Sequence, residues 1–161
     1  MAFIECKNAA FGYEGKAAVN QLNFKVEEGN YKAGTYYGTV VDSYGGVNNT
    51  ATAVVYVNEG GMIESVFLDT TYQHEGTITT KKTLGNDYGM KGVSASMGNI
   101  EGGAEWFEQV NALEEKIVSE QGLDFLEWSN EEKTKTDSVA GVTIQINALV
   151  EAANKAIEQA K

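Results

Sequence analysis

Proline is absent from all 161 residues, and that absence decides how this chain can turn. Without the residue that fixes φ, reversals fall to Gly, Asn and Asp, which reach positive φ or bond their own backbone. There are 18 glycines, and all but Gly122 and Gly141 lie between Gly12 and Gly103. The front of the chain therefore predicts strands joined by tight turns. From Ala104 onward Glu, Ala, Lys and Gln surround spaced apolar residues, a composition that favours helices. Together the two parts predict an α+β fold, a twisted antiparallel sheet with helices packed on one face.

The length is that of about one domain, and 42% apolar residues suffice for one sizeable core. Asp and Glu number 23 against 12 Lys and Arg, giving a net charge of -11. A chain so acidic is a poor partner for nucleic acid or an anionic membrane, whose phosphates need cations. Cys6 alone closes no internal disulfide, and with His74 the single histidine no metal cluster is expected. Redox chemistry, if present, must then come from an organic cofactor. The apolar run Ala51 to Val57 is far short of the roughly 18 residues of a membrane helix. The first residues lack a charged-then-apolar leader, so no targeting signal is expected and the compartment is left open.

Phe3 to Lys7 alternates weakly, and Leu22, Phe24 and Val26 repeat with period two, predicting two short strands before a Glu27-to-Asn30 turn. A strand across Tyr36 to Val41 is expected to stop at Gly45-Gly46 and Asn48-Asn49, with the next running from Ala51 to Val57. Asn58-Glu59-Gly60-Gly61 predicts a hairpin turn into a strand from Met62 to Leu68. Thr77 to Met97, which holds Lys81, Lys82 and Lys91, is polar and weakly periodic, predicting loop and a short helix. Trp106, Val110, Leu113 and Ile117 mark the buried face of a helix stopped at Gly122. Leu123 to Trp128 predicts a short strand or turn. The last helix is expected to begin near Thr143, with Ile146, Leu149, Val150, Ala153 and Ile157 on one face.

No catalytic set emerges. His74 stands between Gln73 and Glu75, ordinary surface neighbours, and is best explained as part of a solvated loop. The glycines match neither the phosphate-loop pattern nor the dinucleotide fingerprint. Asn48-Asn49-Thr50 satisfies the glycosylation sequon, but its expected role is a turn. More informative is Asp137-Ser138-Val139-Ala140-Gly141-Val142-Thr143-Ile144, directly before the expected last helix. A helix start offers unpaired N–H groups and partial positive charge, which suits a phosphate at Thr143, while Asp137 and Ser138 can cap the turn. By itself the segment is most simply a loop and N-cap.

This segment resembles the flavinylation motif D-x-x-[ST]-G-A-[ST] of the FMN-binding domain family, found in flavin subunits of the sodium-pumping NADH:quinone oxidoreductase and Rnf complexes. The family also includes surface lipoproteins of Gram-positive extracellular electron transfer. The likeness runs from about Tyr31 to Lys161. It includes Tyr31 to Gly38, the Val55-to-Phe67 hairpin, Thr83 to Lys91, Glu105 to Gln109 and the tail Val150 to Lys161. The resemblance implies an FMN-binding domain over residues 32–161, with FMN esterified to Thr143 or held without a covalent bond. Asp137 would be the leading acid, Gly141 the small turn residue, and Ser138 and Val142 neighbours in the motif. Ala140 stands where the family has Ser or Thr, and Val142 where it has Ala, placing bulk beside the acceptor. Tyr88, Met90 and Lys91 suit a flavin through an aromatic face, a thioether and a cation, and suit equally a tight packed turn. The implied role is an electron carrier rather than an enzyme. Implied partners are a flavin transferase, an upstream dehydrogenase and a downstream electron acceptor, and the family's usual setting is extracytoplasmic and membrane-tethered. A scaffold or engineered chimera with the same fold but no flavin is the alternative.

Residues 1–31 resemble something else. Phe11-Gly12-Tyr13-Glu14 and Leu22 to Gly29 are similar to the opening of an ABC transporter ATP-binding subunit. The phosphate loop that should follow is missing, which excludes ATPase function. The segment is expected to add strands to the sheet edge or remain loosely attached.

Overall fold

The computed structural model describes residues 2–14, 16–44, 46–98 and 100–161. Strands β1 (Ala2–Tyr13) and β2 (Lys16–Glu27) pair antiparallel as a two-stranded sheet of their own. Strands β3 (Gly34–Tyr44), β4 (Val47–Val57), β5 (Ile63–His74) and β6 (Thr77–Thr80) form an open antiparallel sheet in chain order. Then come α1 (Lys81–Leu84), a single 3-10 turn at Gly85–Tyr88, α2 (Met90–Ser96), α3 (Trp106–Glu120) and α4 (Asn147–Gln159). The α+β fold expected from composition is the fold observed.

The sheet has one buried face because β4 alternates in burial and its inward residues meet buried residues of β5. Ala51, Ala53 and Val55 of β4 lie opposite Thr70, Leu68 and Val66 of β5, and all six are buried. Val110, Leu113 and Ile117 of α3 and Leu149, Ala152, Ala153, Ala156 and Ile157 of α4 complete this core. Gly38 of β3 pairs with Ala53 and sits directly under α4. A Cβ there would stand 2.1 Å from the Ala152 carbonyl oxygen, so only glycine admits the helix.

Side chains of α4, of α3 and of Gln121 just after it bind unpaired edge groups of β3 and β5. On β3, Gln159 Nε2 donates to the Tyr37 carbonyl at 2.9 Å and Lys155 Nζ to the Thr39 carbonyl at 3.3 Å. On β5, beyond the stretch paired with β6, Gln121 Oε1 accepts from Ile63 N–H at 2.7 Å. Its Nε2 donates back to the Ile63 carbonyl at 2.9 Å, while Glu114 of α3 accepts from Leu68 N–H. Unpaired strand edges invite further strands, and these contacts occupy some of the groups that would do so.

Several expectations are corrected. The sequon Asn48-Asn49-Thr50 lies inside β4, with Asn48 opposite Ser43 and Asn49 opposite Asp42. Gly46, at φ 81, supplies the reversal, leaving the Asn pair free to join the ladder. The Asn58 turn forms as predicted, its Oδ1 accepting from Gly60 N–H at 3.0 Å and Met62 N–H at 3.1 Å. Between Thr77 and Met97 the chain makes a strand, two short helices and a 3-10 turn, more structure than its weak periodicity suggests. Leu123 to Trp128 is mostly turn, with one bridge from Trp128 to Thr136. The α3 helix ends as predicted, with Gln121 at φ 57 and Gly122 N–H returning to Ile117 O at 3.1 Å.

The start of the last helix is the main discrepancy. α4 begins at Asn147, four residues beyond Thr143. Val142, Ile144 and Ile146 are buried while Thr143 and Gln145 are more exposed, a period-two alternation along a non-helical strap that bends at Ile144. Three β-branched residues at that spacing favour extended backbone, and Ile146 N–H is bound to Thr134 O at 2.9 Å.

The hairpin β1–β2 adds no strand to the four-stranded sheet. Of the two possibilities expected for residues 1–31, strand addition is thus not realised. Ile4, Phe11, Val19, Leu22 and Phe24 remain exposed on it.

Candidate functional site

The strap before α4, the first residues of α1 to α3 and one residue of β3 surround a cleft of about 280 Å³. Trp106 and Tyr88 supply aromatic surface, Met90 and Ile144 apolar surface, and Lys81, Lys135 and Asp42 charge. Thr143 and Gln145 bring polar groups from the strap.

Each wall is fixed by contacts that the local sequence explains. Glu105, buried just before α3, accepts from the backbone N–H groups of Met90 at 2.9 Å and Lys91 at 3.1 Å. Its own N–H donates to Glu108 Oε2 at 2.7 Å, so one acidic cluster ties the starts of α2 and α3 together. Gly103 permits this approach, because a Cβ there would lie 2.1 Å from Lys91 O. Tyr88 is set edge-on to Tyr72 of β5 with ring centroids 5.1 Å apart.

Thr143 is held by Gln109 of α3. Gln109 is buried, and its Oε1 accepts both Thr143 N–H at 2.9 Å and Thr143 Oγ1–H at 3.2 Å. The backbone donor fixes which way the amide points, since the flipped amide would set NH₂ against N–H. The Gln109 Nε2 is buried without a hydrogen-bond partner among the described residues.

Lys81 is the charged group most enclosed by the cleft. Its Nζ lies 5.1 Å from the Trp106 ring centroid and 5.5 Å from that of Tyr88. Burial pulls its pKa below the usual lysine value, against the pull of Asp42 and Asp69, which favour the charged form. Behind it, Asp69 Oδ1 accepts from the N–H groups of Thr70 and Lys82, bracing the first turn of α1.

Of the residues singled out from sequence, Thr143, Tyr88 and Met90 meet in this cleft. The others do not. Val142 is buried in the core and lies outside the cleft lining, so its bulk is not beside the Thr143 side chain there. Gly141 is an exposed turn residue at φ 80. Ser138 folds back on its own loop, its Oγ accepting from Glu127 N–H at 2.9 Å, and lines a separate small cleft with Asp137. Lys91 is exposed and its side chain is not part of the cleft lining. Lys81, Trp106, Asp42 and Lys135 were not legible as site residues. Trp106 carries the helical period of a core residue, and Lys81 stands in a run of polar residues without a motif.

FMN needs an apolar or aromatic slot for its ring and polar groups for its phosphate and ring edge. The two aromatic side chains, the two lysines and the Thr143 hydroxyl match that requirement in kind. The cleft volume is just below the usual range of small-molecule sites, so it fits part of such a ligand with the rest in solvent. The chain matches no protein-family model, and no curated protein or solved structure gives a significant match.

Proposed function

We propose that this chain is a flavin-carrying electron-transfer domain, with FMN joined through its phosphate to Thr143. The observation that carries this reading is that the proposed acceptor hydroxyl, Thr143, shares one cleft with Tyr88, Trp106, Met90 and Lys81. A motif read only as a helix cap has no reason to sit beside two aromatic side chains and a partly buried cation. Attachment would use FAD and a flavin transferase. The Thr143 Oγ–P bond forms as the pyrophosphate bond of FAD breaks, and AMP leaves with the hydroxyl proton accounted for as solvent acid.

When bound, FMN supplies the redox chemistry, and the protein supplies position and electrostatics. Gln109 Oε1 accepts the Thr143 hydroxyl proton in a hydrogen bond and so aims the oxygen lone pairs outward. Tyr88 offers aromatic surface to a planar ring, Trp106, 4% exposed, backs the cleft, Met90 gives an adaptable apolar contact, and Lys135 a cation near the strap. An upstream dehydrogenase and a downstream acceptor complete the proposed chain of transfer, and the acidic surface favours basic docking faces on them. Nucleic acid is not among the proposed partners. No described helix is long and apolar enough to cross a membrane.

The test is intact mass with a visible spectrum after co-expression with a flavin transferase and FAD supply. A yellow protein heavier by FMN less one water, and unmodified in Thr143→Ala, supports the covalent carrier. Colour that is lost on denaturation points to non-covalent FMN. A colourless chain of unmodified mass overturns the reading and favours a scaffold with this fold.

A further inference from the structure

We propose that Lys81, rather than Lys91, is the cation that meets the electron-rich edge of the flavin ring in this cleft and raises its reduction potential. This deepens the flavin reading and rests on it.

The first support is a contrast among lysines. Lys7, Lys82, Lys116, Lys155 and Lys161 each form an ion pair with a glutamate. Lys81, more enclosed than most of these, forms neither a hydrogen bond nor an ion pair with any described residue, although Asp42 lines the same cleft. An ammonium carries three donors, and two ring faces satisfy none of them as hydrogen bonds. Withdrawing such a group from water is costly unless something accepts from it. The protein holds it at 5.1 and 5.5 Å from two aromatic centroids, in a cleft open to a ligand. An acceptor brought in from outside completes the arrangement.

The second support is the chemistry of the acceptor. A flavin ring presents carbonyl oxygens and ring nitrogens along one edge, and it is more electron-rich after reduction than before. A fixed cation at that edge therefore binds the reduced ring better than the oxidised one, which raises the midpoint potential. Thr143 in the same cleft supplies the tether that would keep the ring within reach. Lys91 lacks these conditions, being exposed and outside the lining.

The experiment compares flavin-loaded wild type, Lys81→Met, Lys81→Arg and Lys91→Met by potentiometric titration, together with acetylation of lysines mapped by mass spectrometry. In the fraction of Lys81→Met that carries flavin, the midpoint is expected to be lower than in wild type. A tenfold loss of preference for the reduced ring is about 30 mV for a two-electron couple. Lys81→Arg is expected to restore most of the shift, and Lys91→Met to leave the midpoint at the wild-type value. In wild type, the Lys81 amine should be acetylated in the flavin-free chain and protected in the loaded one. Equal midpoints in wild type and Lys81→Met, with Lys81 labelled equally in both states, overturn this inference while leaving the carrier reading standing. A wild-type chain that takes up no flavin overturns both.

Discussion

One side-chain oxygen, Oε1 of Gln109, carries both the backbone N–H and the hydroxyl of Thr143, at 2.9 and 3.2 Å. This couples the strap before α4 to the first turn of α3. Gln109→Leu leaves the strap N–H without its acceptor and should cost about 1–3 kcal/mol, the penalty of an unsatisfied buried donor. Thr143→Val keeps the backbone bond and should cost less. Urea denaturation of the two variants measures the difference, and equal costs would show that the backbone bond contributes nothing.

Lys82 and Glu114 form the most enclosed ion pair described, 2.6 Å apart, with side chains only 15% and 13% exposed. Glu114 also receives Leu68 N–H, and Lys82 lies 4.5 Å from the Phe67 ring centroid. Burial pushes the Glu114 carboxyl upward in pKa, while the bonds from Lys82 and Leu68 oppose that shift. Lys82→Met strands the carboxylate and should destabilise the chain by about 3 kcal/mol. The double variant with Glu114→Gln should recover part of this, as a double-mutant cycle in chemical denaturation will show.

Folding lowers the pKa of Lys81, chiefly through burial. Between that lowered value and the usual lysine value of 10.5, the unfolded chain binds more protons than the folded one. This residue therefore makes stability increase with pH across that window, and its penalty is complete below it. Lys81→Met should be more stable than wild type at neutral pH, with the gap closing as pH climbs toward 10.5. Thermal melts of both proteins across the alkaline range test the slope.

Gly38→Ala places a methyl group 2.1 Å from Ala152 O and 2.8 Å from Lys155 Cβ. Neither a helix backbone nor a packed strand yields easily, so a loss of roughly 1–3 kcal/mol is expected, as for an overpacked core. A melting temperature within error of wild type would contradict the close packing of α4 on β3.

Among the described residues, 2–27 contribute none to the buried core and no strand to the four-stranded sheet. Removing them should leave the unfolding midpoint of the remainder nearly unchanged and reduce binding of an apolar dye, since Phe11, Val19 and Phe24 are exposed there. A large drop in midpoint would reveal that the hairpin supports the sheet.

The parts of the fold set by local rules were readable in advance. Val110, Leu113 and Ile117 have only one helical face to share, and Asn58 with two glycines has only a turn to make. What escaped sequence reasoning depends on long-range contacts. Thr143 is kept out of the helix by the alternating burial of Val142, Ile144 and Ile146, and the helix signal of the following residues masked that alternation. Lys81 joins Trp106 and Thr143 only after three separate segments converge, which no spacing in the chain encodes.

The side chains bound to the edges of β3 and β5 also bear on how the chain reaches its native state. All four strands of the larger sheet precede α3 and α4 in the order of synthesis, yet Gln121, Lys155 and Gln159 make these contacts. A nascent chain long enough to form the sheet is thus still too short to make them. Premature termination before α4 would yield a species with an open β3 edge and a bare apolar face, poised for self-association, so the last helix acts as a quality gate on solubility.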